Sequence, residues 1–407
     1  MEWHIPFNAL SPRQRDVLSS ITQDLRRTHW IRGCAGTGKT LVMTHLAERV
    51  AAVDPIGSIC FITYTNSLVD LVRTGIAQGL EHRVSVMTHT AFLSERRAAK
   101  YVFLDEVQDI PPEDLSKIRS KCDRLFVAGD PDQSIYPDRC KERHIAAVVT
   151  GRQHELVEVH RLTPEIRELA EHVMPNASLV EAESAKEGEA FLPQVCELDS
   201  EAEEVEWVWA RARECAVPGK PSVILLPTHD DIYSFATKLA ELEGAPYPPR
   251  AGWRKYRHPD YGPFNDFWSG RGIGLSYLGG GFGSLPASDE EAHTYIMTYH
   301  SSKGLDFANV FLPGLNETRQ LVKGSRAKDD PELEDRLLYV AITRSRRRLF
   351  ISHTEAELHR CLANLEPSVL EPFDESLWDV HINQADVDDL DDDEDELWED
   401  DDDESIS

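Results

Sequence analysis

Eight consecutive residues near the N-terminus have the composition and spacing of a loop that binds phosphate groups. Residues 33–40 read GCAGTGKT and fit the pattern G-x-x-x-x-G-K-[ST] at every fixed position. Glycine permits the tight turn that brings successive backbone N–H groups onto phosphate oxygens, and the following helix adds its positive N-terminal end. Lys39 can then reach the β and γ phosphates of a nucleotide, and Thr40 offers a hydroxyl to Mg²⁺. The predicted nucleotide contacts in this loop are Gly33, Ala35, Gly36, Thr37, Gly38, Lys39 and Thr40.

Two carboxylates at the end of an apolar run supply the other groups that phosphate transfer needs. Residues 101–104 read YVFL and lead directly into Asp105 and Glu106. In this order Asp105 is placed to hold Mg²⁺, and Glu106 to orient and deprotonate an attacking water. A pair of acids after a strand can also be a plain helix N-cap, but the phosphate loop upstream favours the catalytic interpretation.

A glutamine upstream of the phosphate loop is a candidate for reading the base of the nucleotide. Gln14 lies in an amphipathic helix whose start is marked by Ser11 as the N-cap and Pro12 at the first helical position. Its amide offers both a donor and an acceptor to adenine. A solvated helix position is the alternative.

Hydroxyl and aromatic side chains follow two further apolar runs. Tyr64 and Thr65 come after residues that read ICFI, and Thr88 and His89 come after residues that read VSVM. At the carboxyl end of a strand, such side chains suit a backbone phosphate and a stacked base. Plain strand-to-helix turns remain the alternative for both pairs.

These residues require a particular arrangement of secondary structure around them. Residues 30–32 predict the end of a buried strand before the phosphate loop, and apolar residues at helical spacing from Leu41 to Val50 predict a helix after it. Strands buried on both faces and alternating with helices predict an α/β fold with mostly parallel sheets. The further predicted strands are residues 59–62, 84–87, 101–104, 125–128 and 222–226.

Six sequence blocks follow one another in a fixed order. They read GCAGTGKT, TYTNSL, DEVQD, GDPDQSIY, YHSSKGLDF and LLYVAITR. In this order and spacing they resemble the UvrD/Rep-type superfamily 1 helicases, over roughly residues 7–352. The resemblance implies two RecA-like P-loop NTPase lobes, with the ATP site in the cleft between them and nucleic acid across the top.

The resemblance also implies roles for residues whose types alone would not reveal them. Arg161 and Arg344 would act on the transferred phosphate from the second lobe, and Gln133 would join them in catalysis. His160 stands where the family has an adenine-stacking tyrosine, and Asp306 stands where a glutamate usually contacts the ribose. Without the resemblance, Arg161 would be interpreted as a surface arginine.

The expected nucleic-acid contacts come from the same blocks. Family members tend to carry a DNA-stacking aromatic shortly after the position of Tyr136, whereas Pro137, Asp138 and Arg139 follow it here. The sequence therefore indicates ATP hydrolysis more strongly than processive unwinding. The expected contacts are Tyr64, Thr65, Thr88, His89, Tyr136, Thr298 and His300.

The negative charge of the chain is concentrated at its C-terminal end. The formal net charge is −29, but residues 361–407 contain twenty Asp and Glu and no Lys or Arg, which leaves about −9 for residues 1–360. That remainder is compatible with a local basic groove for nucleic acid. The acidic segment has too few apolar residues to fold alone, so we expect it to be largely disordered. It would serve as a solubilising tail, as a mimic of nucleic acid that lies in a basic groove near Arg346, Arg347 and Arg348 until DNA or a basic partner displaces it, or as a contact for a protein partner.

The expected domain organisation has a first lobe at residues 1–155, a second lobe at 156–360 and the acidic tail at 361–407. Within the second lobe, residues 247–277 interleave arginine and lysine with aromatic side chains, the composition of a single-strand binding surface. A locally packed aromatic cluster with solvated charges is the alternative.

Composition also restricts the compartment. The sequence contains no apolar run of about 18 residues and no N-terminal signal pattern, so we expect no membrane association. The seven cysteines include no C-x-x-C pair, which favours reduced thiols and a cytoplasmic location. Nothing in the periodicity indicates an oligomer.

These predictions converge on a Mg²⁺-dependent ATPase that single-stranded DNA, rather than RNA, stimulates and that acts as a translocase or helicase. The blocks are too closely spaced for large accessory insertions, since only about 135 residues separate Arg161 from Met297. An ATP-dependent switch or sensor that gates a partner, such as a nuclease in DNA repair or phage defence, is the alternative.

Overall fold

The computed structural model describes residues 4–96, 98–136, 138–149, 151–177, 179, 183–184, 191–253, 259–279, 282, 291–322, 330, 332–363 and 365–378. Internal contacts divide the chain into two compact units, Met1–Glu371 and Pro372–Ser407. In the second unit a short 3-10 helix spans Glu375–Leu377. The acidic residues from 379 onwards, and with them the disorder predicted for this segment, lie outside the described residues.

The first lobe is built on a six-stranded parallel sheet, as far as the chain is described. Its order is β3-β2-β4-β5-β1-β6. The strands are β1 (His29–Arg32), β2 (Ile59–Thr63), β3 (Val84–Thr88), β4 (Ala99–Leu104), β5 (Cys122–Gly129) and β6 (Arg152–Glu155). The helices are α1 (Pro12–Gln23), α2 (Lys39–Val53), α3 (Asn66–Gly75), α4 (His89–Ser94), α5 (Pro112–Ser120) and α6 (Glu142–Val148).

The central strands of this sheet are apolar because helices cover both of its faces. Phe61, Phe103 and Phe126 lie on neighbouring strands and stack. The ring centroids of Phe61 and Phe103 are 6.3 Å apart, and those of Phe103 and Phe126 are 4.9 Å apart. All three side chains are fully buried, and each contributes about 1.5–3 kcal/mol to stability by its burial. This core fixes the strand ends from which the loops of the site project.

The second lobe is built on a seven-stranded sheet in the described chain, ordered β13-β14-β10-β15-β16-β9-β17 and parallel from β13 to β9. Two short two-stranded pairs, β7-β8 and β11-β12, accompany it. The strands are β7 (Glu158–Val159), β8 (Glu183–Ser184), β9 (Gln194–Glu197), β10 (Ser222–Leu226), β11 (Gly252–Trp253), β12 (Pro259–Asp260), β13 (Leu275–Tyr277), β14 (Thr294–Thr298), β15 (Phe307–Leu312), β16 (Ser345–His353) and β17 (Glu371–Pro372). The helices are α7 (Pro164–Val173), α8 (Glu201–Cys215), α9 (His229–Leu242), α10 (Gly262–Ser269) and α11 (Leu333–Ile342).

The predicted α/β fold with two RecA-like lobes is confirmed, and the chain passes from one lobe to the other after β6. Leu156 packs in the core of the first lobe, whereas Val159 and Leu162 pack in the core of the second. The folded region extends beyond the expected boundary at residue 360. Leu362 and Leu370 are buried in the second-lobe core, within the stretch that the sequence assigns to the acidic tail.

Most of the aromatic residues of segment 247–277 that the structure describes are packed inside the lobe, whereas Tyr247 at its start is exposed. Tyr261 stacks on Tyr277 with ring centroids 3.6 Å apart, because both rings belong to a cluster inside the lobe. This arrangement favours the packed-cluster alternative over a binding surface. Residues 254–258, which carry Arg254, Lys255 and Arg257, lie outside the described part of the chain. The buried aromatics are Tyr261, Phe264, Trp268 and Tyr277.

Candidate nucleotide and nucleic-acid site

The phosphate loop connects β1 to α2, and two of its glycines have backbone angles that other residues rarely adopt. Gly36 has φ 81° and Gly38 has φ 80°, and Gly38 is the N-cap of α2. A Cβ atom at Gly36 would also lie 2.9 Å from the Cβ of Arg161, so the second lobe approaches the loop backbone closely. The loop geometry therefore depends on glycine for both reasons.

Lys39 is folded back over the loop. Its Nζ donates to the carbonyl oxygens of Gly33 at 2.8 Å and of Cys34 at 2.9 Å, and the side chain is largely buried. These bonds hold the ammonium group at the mouth of the loop, where a phosphate would meet it. Burial raises the pKa of the Cys34 thiol to about 12, so Cys34 is a neutral packing residue.

Thr40 and Asp105 lie together at the ends of α2 and β4. The Thr40 hydroxyl donates to Asp105 Oδ2 at 2.6 Å, and the backbone N–H of Glu106 donates to Asp105 Oδ1 at 3.0 Å. Burial, reinforced by the charge of Glu106, raises the pKa of Asp105 to about 7. A hydroxyl and a carboxylate side by side are the hard oxygen ligands that Mg²⁺ uses beside a phosphate, so this pair fits the ion.

Glu106 combines an unusual backbone angle with a buried carboxylate. Its φ is 53°, a conformation that costs a non-glycine residue about 1–3 kcal/mol. Burial alone would raise the pKa of Glu106, but the charges of Lys303 and Lys39 and a hydrogen bond from Gln108 Nε2 outweigh it and lower the pKa. Glu106 is thus held as a carboxylate that faces the cleft.

Two predicted glutamines are engaged within the first lobe. Gln14 Oε1 accepts from the backbone N–H of Ser11 at 3.0 Å, and Gln14 Nε2 donates to the carbonyl oxygen of Thr37 at 3.1 Å. The buried side chain therefore braces the phosphate loop against α1, which the adenine prediction did not anticipate. Gln133 donates from Nε2 to Asp130 Oδ2 at 2.7 Å.

On the second-lobe side, Asp306 is held by two arginines. Arg161 Nη1 lies 3.3 Å from Asp306 Oδ2, and Arg346 Nη1 lies 3.6 Å from Asp306 Oδ1. The carboxylate that the resemblance assigns to the ribose is therefore ion-paired in this structure. His160 also lines the cleft, with its Nε2 3.5 Å from Glu158 Oε2.

Arg344 is anchored within its own lobe. Its guanidinium donates to the carbonyl oxygens of Val340 at 2.8 Å and Leu305 at 2.9 Å, and to the Thr343 hydroxyl at 3.1 Å. Burial, reinforced by the charge of Arg161, lowers the pKa of Arg344 to about 9. The arginine lies at the cleft wall, but its donors face the backbone of the second lobe.

These side chains line one cavity of about 300 Å³ between the lobes. The cavity brings together most of the residues that the sequence predicts for nucleotide binding and catalysis. Asp105 lies behind it, joined to Thr40, and Gln14 lies behind the phosphate loop. The predicted residues on its wall are Ala35, Gly36, Gly38, Lys39, Thr40, Glu106, Gln133, His160, Arg161, Asp306 and Arg344.

A buried ion pair between the lobes was not predicted. Lys303 Nζ lies 2.7 Å from Asp109 Oδ1 and also donates to the carbonyl oxygen of Gln133. Both side chains of the pair are almost completely buried. Nearby, Arg336 Nε donates to the carbonyl oxygen of Ser134 at 2.9 Å. The sequence places Lys303 in one of the six blocks but gives no signal for a partner 194 residues away.

Four of the predicted nucleic-acid residues form a row of rings across both lobes, which we call the aromatic row: Tyr64, His89, Tyr136 and His300. Tyr64 stacks on His89 at a centroid distance of 5.3 Å, and lies 4.7 Å from Tyr136, which lies 5.5 Å from His300. Arg139, which the sequence did not single out, places its guanidinium 5.9 Å from the Tyr64 ring and 5.8 Å from the Tyr136 ring.

The three threonines predicted to contact nucleic acid also make hydrogen bonds within the protein. Thr65 caps α3 by accepting from Leu68 N, and Thr88 caps α4 by accepting from Ala91 N, each at 3.3 Å. Thr298 donates to the Ser301 hydroxyl at 2.8 Å. Thr65 and Thr88 adjoin Tyr64 and His89 of the aromatic row in sequence, and Thr298 ends β14 two residues before His300. Each of the three follows or ends a parallel strand.

Two stretches of the chain match known family models, in the order of the lobes. Residues 9–187 match the model of an AAA domain, and residues 284–356 match the model of the UvrD-like helicase C-terminal domain. Among the described residues, no helix has both the length and the apolar character needed to cross a membrane.

Curated relatives include the ATP-dependent DNA helicase PcrA of Staphylococcus epidermidis, 36% identical over 110 residues, and that of Staphylococcus aureus, 36% identical over 107 residues. The matched residues are 25% and 24% of this chain and 15% of each relative, so the match spans a minor part of the relatives' length.

Similar solved structures include the arterivirus nonstructural protein 10 helicase, with a TM-score of 0.41 and 15% identity over 83% of this chain and 61% of that one. Its complex with DNA gives a TM-score of 0.42 and 15% identity over 86% and 65%. The six ordered blocks, the two family models that follow the order of the lobes and the PcrA relatives agree on one resemblance: this chain is similar to the UvrD/Rep-like superfamily 1 helicases.

Proposed function

We propose that this chain is a Mg²⁺-dependent ATPase that single-stranded DNA stimulates and that translocates along or unwinds DNA. The observation that carries the proposal is the shared cleft. Lys39, Thr40 and Glu106 from the first lobe and Arg161 and Arg344 from the second line the same cavity. Because groups from both lobes face one nucleotide site, hydrolysis would depend on how the lobes close, which is how a motor couples ATP to movement.

The residues divide the chemistry between them. Thr40 and Asp105 would hold Mg²⁺, which supplies positive charge to the phosphate oxygens when bound. Lys39 would bind the β and γ phosphates, and Glu106 would accept a proton from the attacking water, for which its lowered pKa keeps it ionised. Arg161 would stabilise the charge that develops on the transferred phosphate.

The aromatic row is the proposed contact for single-stranded nucleic acid. Stacking on an aromatic ring needs no particular base, so a row of rings suits a protein that moves along a strand. The guanidinium of Arg139 beside Tyr64 and Tyr136 adds the positive charge that a phosphate backbone requires. The PcrA relatives are named as DNA helicases, which favours DNA over RNA.

One observation favours the alternative of an ATP-dependent switch that gates a partner protein. The guanidinium of Arg344 is bound to Val340, Leu305 and Thr343 of its own lobe, so its donors must be redirected before they reach a phosphate. A partner that shifts the second lobe would then control hydrolysis. The acidic segment 361–407, with twenty Asp and Glu, is the proposed contact for such a partner.

Steady-state ATP hydrolysis with and without single-stranded DNA tests the proposal. We expect strong stimulation by DNA in the wild type and none in Glu106→Gln, whereas Glu113→Gln, which changes an exposed acid on α5, should behave as the wild type. Hydrolysis that is indifferent to DNA would contradict the motor and favour the switch. A strand-displacement assay on the same preparations then separates unwinding from translocation alone.

A further inference from the structure

Two histidines and a glutamate meet beside the phosphate-loop helix, away from the nucleotide cleft. His45 and Glu48 lie three residues apart on α2 and therefore on one face of it, about 9 Å along the helix from Lys39. His4, from the N-terminal segment, lies against the same face, with its ring centroid 4.4 Å from that of His45. One ligand atom from each of the three side chains lies within 4.8 Å of the other two.

The hydrogen bonds around His45 fix which of its nitrogens carries a lone pair. His45 Nε2 lies 3.0 Å from the carbonyl oxygen of Ile5, and since a carbonyl oxygen can only accept, Nε2 carries the proton. A neutral His45 ring then presents the lone pair of Nδ1, 3.5 Å from Glu48 Oε2. Two acceptors that face each other at this distance require a cation between them, either a second proton on the ring or a metal ion.

The His4 ring brings a second nitrogen to the same carboxylate oxygen. His4 Nε2 lies 4.0 Å from Glu48 Oε2, beyond hydrogen-bond distance, and the ring centroids of His4 and His45 are 4.4 Å apart. A proton on His45 would join only that ring to Glu48, whereas one metal ion can be bound by all three side chains. Glu48 Oε1 accepts from the backbone N–H of Ala77 at 2.7 Å, which leaves Oε2 turned toward the two rings.

The donor set selects the kind of metal. Two imidazoles and one carboxylate are ligands for Zn²⁺ and related first-row transition metals, whereas Mg²⁺ and Ca²⁺ prefer oxygen alone. In a tetrahedral zinc site the ligand atoms are about 3.3 Å apart, because each bond is about 2.0–2.1 Å long. The separations of 3.5 Å and 4.0 Å from Glu48 Oε2 to the two histidine nitrogens reach this value with a small rotation of the His4 and Glu48 side chains.

We propose that His4, His45 and Glu48 form a binding site for one divalent transition metal ion, Zn²⁺ above all, with solvent as a fourth ligand. The Ile5 carbonyl accepts a hydrogen bond from His45 Nε2 and so orients the ring. Metal-binding histidines are commonly positioned by such a bond from the nitrogen that does not bind the metal. The ion fastens the N-terminal segment onto α2. Ile5, the next residue, lines the nucleotide cleft, so the ion fixes one part of the cleft rim.

Cobalt substitution of the full-length chain tests the site without nucleotide or Mg²⁺. Co²⁺ titration of the wild type should give one equivalent with the strong visible absorption of tetrahedral coordination, and Zn²⁺ should displace it. His4→Ala and Glu48→Gln should lose this absorption, since each removes one ligand, while His172→Ala, an exposed histidine on α7, should keep it. Glu48→Gln retains an acceptor for Ala77 and so preserves the local fold.

The acidic tail supplies mainly carboxylates, whose cobalt complexes are six-coordinate and weakly coloured. Its Cys361 and His381 are the same in every variant, so they cannot account for a loss of absorption in His4→Ala or Glu48→Gln. A wild type without the tetrahedral absorption, or variants that show it at full strength, would overturn the proposal. Thermal unfolding gives a second measurement: Zn²⁺ at a hundredfold excess over its Kd should raise the Tm of the wild type by about 3 °C and leave that of His4→Ala unchanged. Equal shifts in both proteins would contradict the site.

Discussion

The two walls of the nucleotide cleft are held in place by different kinds of contact. In the first lobe, Lys39 is bound by backbone carbonyls of its own loop, five and six residues away, and Glu106 by Gln108 two residues on. In the second lobe, Arg161 is paired with Asp306 across 145 residues of sequence, and Lys303 is paired with the first lobe itself. The first wall is therefore preformed by local structure, whereas these contacts of the second wall are long-range, and the Lys303 pair among them depends on how the lobes dock.

Under the proposed function, the difference would allow one cleft both to bind a nucleotide and to respond to movement of the lobes. A loop that its own backbone fixes can hold phosphates in any arrangement of the lobes. Cations whose partners lie far away in sequence change position when those partners move. Substitutions on the two walls should therefore have different effects on hydrolysis, binding and stability.

Glu106→Gln tests the preformed wall. We expect the rate of ATP hydrolysis to fall by about 10²–10⁴-fold, because the amide cannot accept the proton of the attacking water. The affinity for nucleotide should stay unchanged, since the phosphate loop does not depend on Glu106. Steady-state hydrolysis and equilibrium nucleotide binding measure the two quantities, and a variant that loses binding as well would contradict the independence of this wall.

Lys303→Met tests whether the second wall depends on docking of the lobes. Removing one partner of a buried ion pair should lower the free energy of unfolding by about 3–5 kcal/mol, because the Asp109 carboxylate is left buried and uncompensated. Urea denaturation measures the loss. The double variant Lys303→Met with Asp109→Asn should be more stable than the single one, and equal or additive losses would rule out the pair as the cause.

Arg161→Ala tests the catalytic role of the second wall. We expect hydrolysis to fall by about 10²–10³-fold, the usual effect of removing one donor to a developing negative charge. Folding should be little affected, since the ion pair with Asp306 is partly exposed and Arg346 remains beside that carboxylate. Arg346→Ala is the matched control, and an equal loss of rate in that variant would assign the effect to Asp306 instead.

Tyr64→Ala tests the aromatic row, which crosses from one lobe to the other. Loss of one stacking ring should weaken binding of single-stranded DNA by about 1–3 kcal/mol, while hydrolysis without DNA stays unchanged. Fluorescence anisotropy of a labelled oligonucleotide measures the affinity. Tyr247→Ala, an exposed ring in segment 247–277, is the control; an equal effect there would transfer the binding surface to that segment.

His154 gives the smallest expected effect and concerns the first lobe alone. Burial, together with the neighbouring His29, lowers the pKa of His154 to about 4, and the two rings lie 3.0 Å apart between Nδ1 and Nε2. Below about pH 6.5 the unfolded chain binds a proton at His154 that the folded chain does not bind. The free energy of unfolding therefore decreases as the pH falls from about 6.5 to about 4. Between pH 7 and pH 5, the Tm of His154→Gln should fall by less than the Tm of the wild type. The exposed His82→Gln should match the wild type, and identical pH dependence in all three would exclude this mechanism.

Much of the first lobe could be predicted because its signals are local in sequence. The strand predicted at 222–226 in the second lobe coincides with β10, and those at 59–62 and 101–104 lie within β2 and β4. Runs of apolar residues of this length have few structural alternatives when helices flank them. Ser11 and Pro12 start α1 as predicted, since an N-cap and a proline at the first position act on the nearest backbone only.

The phosphate loop, the acids at the end of β4 and the order of the six blocks could be read from the sequence alone, because each rests on neighbours within a few residues. The partners of Lys303, the bracing role of Gln14, the place of Arg139 beside the aromatic row and the contact of His4 with α2 are set by tertiary packing. These contacts join residues from 23 to 194 positions apart or from separate elements. Side-chain type says what a residue can bind, but the packing of the two lobes decides which groups come within reach.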